Sequence, residues 1–377
     1  MPESVRKDIG AADLIDTAFK AYNGGRLAEA CRLYTNKMLA EDGAIGMSLT
    51  GALTPAGLGK SCLIPLIEAG FVDWIISTGA NLYHDLHFGL GMELFAGSPF
   101  LNDIELRHEG VIRIYDVLFD YDVLLDTDAF VRQVIQGPSS SGRWALMNST
   151  TSSESMSMSA SANLALMATA SSVPPIVAHC PSSRARQGDS SIGMNVAAMS
   201  LRDSKLLFDV NRDVNQTAAI VYDAKNSGRT SSVFILGGGS PKNFMLQTEP
   251  QIQEVMGIEG RGHDYFLQCT DARPDSGGLS GATPGEAVSW GKVDPESLPD
   301  CVVCYLDSTI SLPLITAYAL SRAPRRKPKR LYDRRQEMLE MIRQEYLRRG
   351  TVEKIAHRTD VKKSRAAILP NGRLPLE

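Results

Sequence analysis

Residues 231–242 read SSVFILGGGSPK, and the order of residue types in them decides the fold class. A run of Ser, Val, Phe, Ile and Leu suits a buried strand, and it empties directly into three glycines. Without Cβ atoms the backbone there can approach a pyrophosphate closely, although a plain tight turn uses the same residues.

The same unit recurs on both sides of it. Residues 44–53 (AIGMSLTGAL) are a short strand entering a Gly/Thr/Pro turn. Residues 71–76 (FVDWII) are a buried strand running into Ser77, Thr78, Gly79, Ala80 and Asn81, and residues 302–308 (VVCYLDS) are a strand ending on Asp307. A further strand, residues 263–270 (HDYFLQCT), precedes the loop that carries Asp275. Four strand-then-glycine-or-Asp units predict an α/β fold with a doubly wound, mostly parallel, Rossmann-like sheet. In such sheets cofactors bind at the strands' carboxyl ends.

Around this core the spacing of Leu14, Ile15, Ala18, Phe19 and Tyr22 predicts a helical lead-in over residues 1–43. The catalytic α/β domain is expected over 44–320, and a basic, charged helix and tail over 321–377. The basic run at 322–330 could neutralise phosphates. The interleaved Asp333, Glu337 and Glu340 point instead to a solvated helix with i,i+4 pairs, so no nucleic acid is expected. Residues 137–187 are Ser- and Met-rich, nearly uncharged and without clear period.

The 377 residues carry 43% hydrophobic and 22% charged side chains, ordinary globular usage, with a formal charge of −4. The N-terminus shows no apolar signal region and no run is long enough to span a bilayer, which predicts a cytoplasmic protein without membrane contact. Six cysteines are too sparse for a disulfide scaffold. Cys301 and Cys304 have metal-knuckle spacing, but strand alternation would aim them at opposite faces, so no metal is expected. Residues 54–61 (TPAGLGKS) mimic a phosphate-binding loop with Thr54 where its first glycine belongs. His84 and His87 could share a helix face but have no third ligand in sequence.

Residues 277–292 (GGLSGATPGEAVSWGK) hold the chemistry. A glycine-rich turn enters a Pro-started helical segment and delivers Lys292. A lysine with a depressed pKa can form an imine with a carbonyl. Trp290 could supply an apolar wall and Glu286 a carboxylate for a cationic substrate, while an ordinary exposed lysine after a turn would read the same way.

EAVSWGK, residues 286–292, resembles the active-site segment of the deoxyhypusine synthase family almost residue for residue. The resemblance extends over roughly residues 47–320, lapsing across 137–187, where the chain has either a divergent insertion or a shifted reading frame. It implies that family's fold, NAD as cofactor, a homotetramer with active sites between paired subunits, and Lys292 as carrier of a 4-aminobutyl group. Cofactor contacts carry over to Thr78, Gly79, Ala80, Asp189, Gly238, Gly239, Thr270, Asp275, Asp307 and Ser308.

The substrate side departs from the family pattern. Its Glu-Glu is Tyr83-His84 here, its histidine after the triple glycine is Asn243, and two aspartates are replaced, one by Met194 and one by Gly278 or Leu279. Those carboxylates would hold the ammonium groups of spermidine, and an unpaired buried ammonium is costly. The resemblance therefore implies an aminoalkyl transferase acting on an altered small amine or polyamine, homospermidine synthase-like. In it Lys292 is the covalent catalyst, Glu286 orients the amine, and His84 is the candidate general base, with Trp290, Asn243 and Tyr83 lining the substrate. Two other readings stand beside it: a protein lysine on a translation factor as acceptor, or a catalytically silent assembly protein.

Overall fold

The computed structural model describes residues 2–136 and 190–349, with two short backbone segments, 143–144 and 182–184, between them. The chain's strands are β1 (Ala44–Leu49), β2 (Trp74–Ser77), β3 (Phe95–Ala96), β4 (Val111–Ile114), β5 (Val117–Asp120), β6 (Arg143–Trp144), β7 (Ser182–Arg184), β8 (Leu207–Phe208), β9 (Ser231–Leu236), β10 (Tyr265–Cys269) and β11 (Cys301–Cys304). Six of them form one sheet in the order β11-β10-β9-β1-β2-β7, every pair parallel. Read from the other edge this is the third, second, first, fourth, fifth and sixth strand of the sheet, the doubly wound order of dinucleotide-binding folds.

Both faces are covered, as a parallel sheet requires. Alternation sends Ile45, Met47, Phe234, Leu236, Leu267 and Cys304 into one core, against helices Ala11–Ala18, Tyr22–Leu33 and Ser308–Arg322. Trp74, Ile76, Val233, Ile235, Phe266 and Cys301 face the other core, under helices Val210–Asn226 and Arg335–Arg349. Cys301 and Cys304 thus point to opposite faces, as strand periodicity requires.

Gly46 in β1 is where Trp74 packs, and a Cβ placed there would lie 2.5 Å from the Trp74 ring. Gly46→Ala is therefore expected to destabilise the fold by about 1–3 kcal/mol, read as a lowered denaturant midpoint. An unchanged midpoint would show that this core yields.

The helix Ser191–Ser200 starts where the Ser190 hydroxyl accepts from Gly193 N at 3.5 Å and caps it. Residues 207–208 follow as a short strand. The C-terminal helix Arg335–Arg349 carries surface pairs, of which Arg349 with Glu345 has the expected i,i+4 spacing and Arg343 with Glu340 is spaced i,i+3. It is not merely solvated, however: Met338 and Ile342, one turn apart, are buried with Leu331 and Tyr332, and Arg334 donates to the buried Asp223 at 3.0 Å. The segment 137–187, apart from the backbone of 143–144 and 182–184, lies outside the described residues, as does the tail from residue 350.

Candidate active site

In a parallel sheet all carboxyl ends fall on one edge, and here that edge gathers most of the predicted cofactor residues. The chain winds to one side of β1 through β2 and β7, then to the other through β9, so the crevice between β1 and β9 is the topological switch point. Thr50 follows β1 and exchanges hydrogen bonds with Gly238 after β9: Gly238 N donates to Thr50 Oγ1 at 3.2 Å, and that hydroxyl donates to Gly238 O. Gly51 and Gly239 are left-handed, at φ +69° and +53°. A Cβ on Gly51 would meet nothing within 4 Å, and one on Gly239 only Thr50 Cγ2 at 3.5 Å. The Thr50 and Ser280 hydroxyls already accept from Gly238 N and Gly239 N, so the open backbone is that of Gly51 and the Cβ side of Gly239, where a dinucleotide could lie.

Thr78 caps the helix Gly79–Gly89, accepting from Asn81 N at 3.3 Å and donating to Gly51 O at 2.6 Å, with Ala80 in that helix's first turn. Thr270 is buried at the end of β10 and accepts from Ala272 N at 3.1 Å. Asp307 caps the helix Ser308–Arg322, accepting from Thr309 N at 2.8 Å, with Ser308 buried beside it. Asp275 is exposed and paired with Arg273 at 2.8 Å. Asp189 lies outside the described residues.

Lys292 is held by the turn that follows the helix Pro284–Ser289. Thr283 caps that helix with Pro284 at its first position, and Gly291, at φ +67°, allows the reversal that returns Lys292 N to Ala287 O at 3.0 Å. The Lys292 ammonium donates to Asn243 Oδ1 at 3.0 Å and lies 5.6 Å from the Trp290 ring centroid. Burial lowers its pKa, while the Glu286 and Glu254 carboxylates oppose that shift. These residues line a cleft of about 330 Å³ with Lys242, Gln247, Leu279 and Ala282.

The structure thus brings Lys292, Glu286, Trp290 and Asn243 together. It does not bring His84 or Tyr83 to them: neither lines that cleft. Tyr83 is buried and donates to Asp128 Oδ1 at 2.9 Å. His84 Nδ1 lies 3.0 Å from His87 Nε2, and His87 Nδ1 lies 2.9 Å from Thr127 Oγ1. Burial lowers both histidines' pKa, that of His87 to about 4 with the His84 charge adding to the effect. Within this chain His84 therefore belongs to a packed histidine pair and not beside Lys292. Among the described residues no three His, Cys, Asp or Glu side chains gather as a metal site. Near the triphosphate-loop mimic, Leu53 N is already satisfied by Asn81 Oδ1 at 2.6 Å.

Lys242, Gln268 and Ser280, which no sequence motif marks, tie the glycine turn to the Lys292 cleft. Lys242 is buried and donates to Gln268 Oε1 at 2.9 Å and Ala282 O at 2.6 Å. Gln268 Nε2 donates to both Gly237 O and Ser280 O at 2.8 Å, and Gly239 N donates to Ser280 Oγ at 2.9 Å. Burial lowers the Lys242 pKa to about 8, against the pull of Glu286 and with the push of Lys292. The available signal was a glutamine in the middle of an apolar strand, since a polar side chain there must find partners.

Residues 14–319 match the family model described as deoxyhypusine synthase. A deoxyhypusine synthase-like protein of Nostoc punctiforme is 53% identical over 352 residues, 92% of this chain and 89% of that one. A protein named probable deoxyhypusine synthase 1, from Methanosarcina mazei, is 35% identical over 310 residues, 81% of this chain and 89% of its own. The crystal structure of a candidate deoxyhypusine synthase from Entamoeba histolytica superposes with a TM-score of 0.50 at 12% identity, covering 86% of this chain and 98% of that one, and supports the fold alone.

Proposed function

The chain belongs to the deoxyhypusine synthase family, and from that premise we propose that it is an NAD-dependent aminoalkyl transferase that carries its group on Lys292 and acts on small amines or polyamines. The observation that carries this reading is the half-buried Lys292 amine, held by Asn243 at 3.0 Å in a cleft with Glu286 and Trp290. Lys242 and Ser280 bridge that cleft to the glycine turn after β9.

Thr78, Gly238, Gly239, Thr270 and Asp307 would hold NAD, which would supply a hydride acceptor for the amine carbon and a donor later. With that chemistry supplied, the substrate would become an imine by loss of a hydride and a proton. Lys292, in its neutral form, adds to the imine carbon and expels the original nitrogen as ammonia or an amine. A second amine then adds to the Lys292-bound imine and releases Lys292. The hydride, returned, would give a secondary amine with no net redox change. Glu286 orients the cationic substrate, Trp290 shields the imine from water, and Asn243 fixes the lysine. We expect the donor or acceptor to be a small diamine such as putrescine.

The test is mass spectrometry of the intact protein after incubation with NAD and amines, followed by borohydride trapping. A stable adduct mapped to Lys292 supports the route, and its mass identifies the donor. NAD binding without an adduct from any amine rejects it.

A pH dependence follows. Only the neutral amine attacks, so capture should accelerate as pH rises through the lowered pKa of Lys292. Glu286 holds that pKa up, so Glu286→Gln should move the acidic limb to lower pH while raising the half-saturating amine concentration. A limb that stays in place would show that another group sets it.

A further inference from the structure

A second cleft, of about 350 Å³, adjoins the first, and the two share Asn243, Gln247, Pro250 and Glu254. Glu254 is exposed at that shared wall, in the turn Gln251–Val255. The turn is pinned to the lysine segment: Gln253 Nε2 donates to Gly291 O, one residue before Lys292, at 2.9 Å, and to Glu249 Oε2 at 2.9 Å. These bonds hold the backbone that carries Glu254 beside the lysine segment. Its charge reaches Lys292, whose pKa it opposes lowering.

Resting on the reading of Lys292 as the group carrier, we propose that Glu254 is a specificity-determining residue that anchors the distal ammonium of an α,ω-diamine whose other end reacts at Lys292. A substrate lying along the first cleft brings its reactive carbon to Lys292, with Glu286 and Trp290 on the same wall. Its second charge then needs a counter-charge. Glu254 supplies one at the rim, where the second cleft opens among Thr217, Ser240, Gln247 and Gln251. A monoamine of the same length fills the same space but leaves this carboxylate unused. Charge pairing discriminates such ligands because only the diamine brings a second ammonium that gains the counter-charge.

The experiment compares 1,4-diaminobutane with butylamine in wild type and in Glu254→Gln, using the full chain with NAD and borohydride-trapped adduct on Lys292 as the readout. In wild type the half-saturating concentration should be about two- to fivefold lower for the diamine, the size expected of an exposed ion pair. In Glu254→Gln that ratio should fall toward one, and Glu254→Lys should invert it. Glutamine is nearly isosteric at this exposed position, so folding is not at stake. A wild type without diamine preference, or a preference that Glu254→Gln leaves intact, overturns the assignment while the covalent reading survives. No adduct from either amine in wild type sinks the covalent reading and this assignment with it.

Discussion

Lys292→Ala should lower turnover by at least about a thousandfold and abolish the trapped mass gain, because no other group in the cleft can take over as covalent carrier. Lys242, the other lysine lining it, is buried and its ammonium is spent on Gln268 and the Ala282 carbonyl. Lys292→Arg should do no better, since a guanidinium stays protonated and does not form an imine. Neither change should unfold the chain: Lys292 is only half-buried, and its side chain donates to a single acceptor, Asn243. Circular dichroism and NAD binding should therefore match wild type while transfer is lost. Full turnover by Lys292→Ala would rule out the covalent route.

The parts of the site that were legible in the sequence are those built from contiguous residues. SSVFILGGG and the strands around it announce a parallel sheet because each strand is buried on both faces and ends in a residue that lets backbone come close. The turn that presents Lys292 is equally local, closed by Thr283, Pro284 and Gly291 within ten residues.

What escaped depends on contacts between distant segments. Gln253 reaches Gly291, and nothing in QIQEV alone says that its neighbour Glu254 will border the Lys292 cleft. Lys242 stands one residue before Asn243, yet its partners Gln268 and Ala282 come from β10 and the loop beyond. The two histidines of HDLH share one helix face, as their spacing predicts. Thr127 from the helix Tyr121–Gln136 meets His87, and His87 in turn meets His84, in a cluster that does not line the Lys292 cleft. Helical spacing defines a face, while the residue that meets it comes from elsewhere in the chain.

The second large effect concerns the glycine edge. Gly238 is extended, at φ 177°, so its requirement for glycine is not conformational. It is one of space: a Cβ there would stand 2.4 Å from the Cα of Ser280. Backbone cannot swing aside as a long side chain does, so Gly238→Ala should push the 280–282 loop away from the glycine turn. That movement stretches the bond from Gly239 N to Ser280 Oγ and the bonds that Gln268 and Lys242 make to the same loop. The free protein relaxes by moving the loop outward. A dinucleotide that needs the closed crevice must then bring it back. Overpacking of this kind costs about 1–3 kcal/mol, so the NAD dissociation constant should rise by about 5- to 150-fold. Trapped adduct at subsaturating NAD should fall in step and recover at high NAD, since Lys292 itself is untouched. Gly239→Ala is the contrasting variant: its Cβ meets only Thr50 Cγ2 at 3.5 Å, so what it loses comes from the left-handed backbone at φ +53° and appears first as lower stability. If Gly238→Ala binds NAD as tightly as wild type, the crevice between β1 and β9 is not where the cofactor lies.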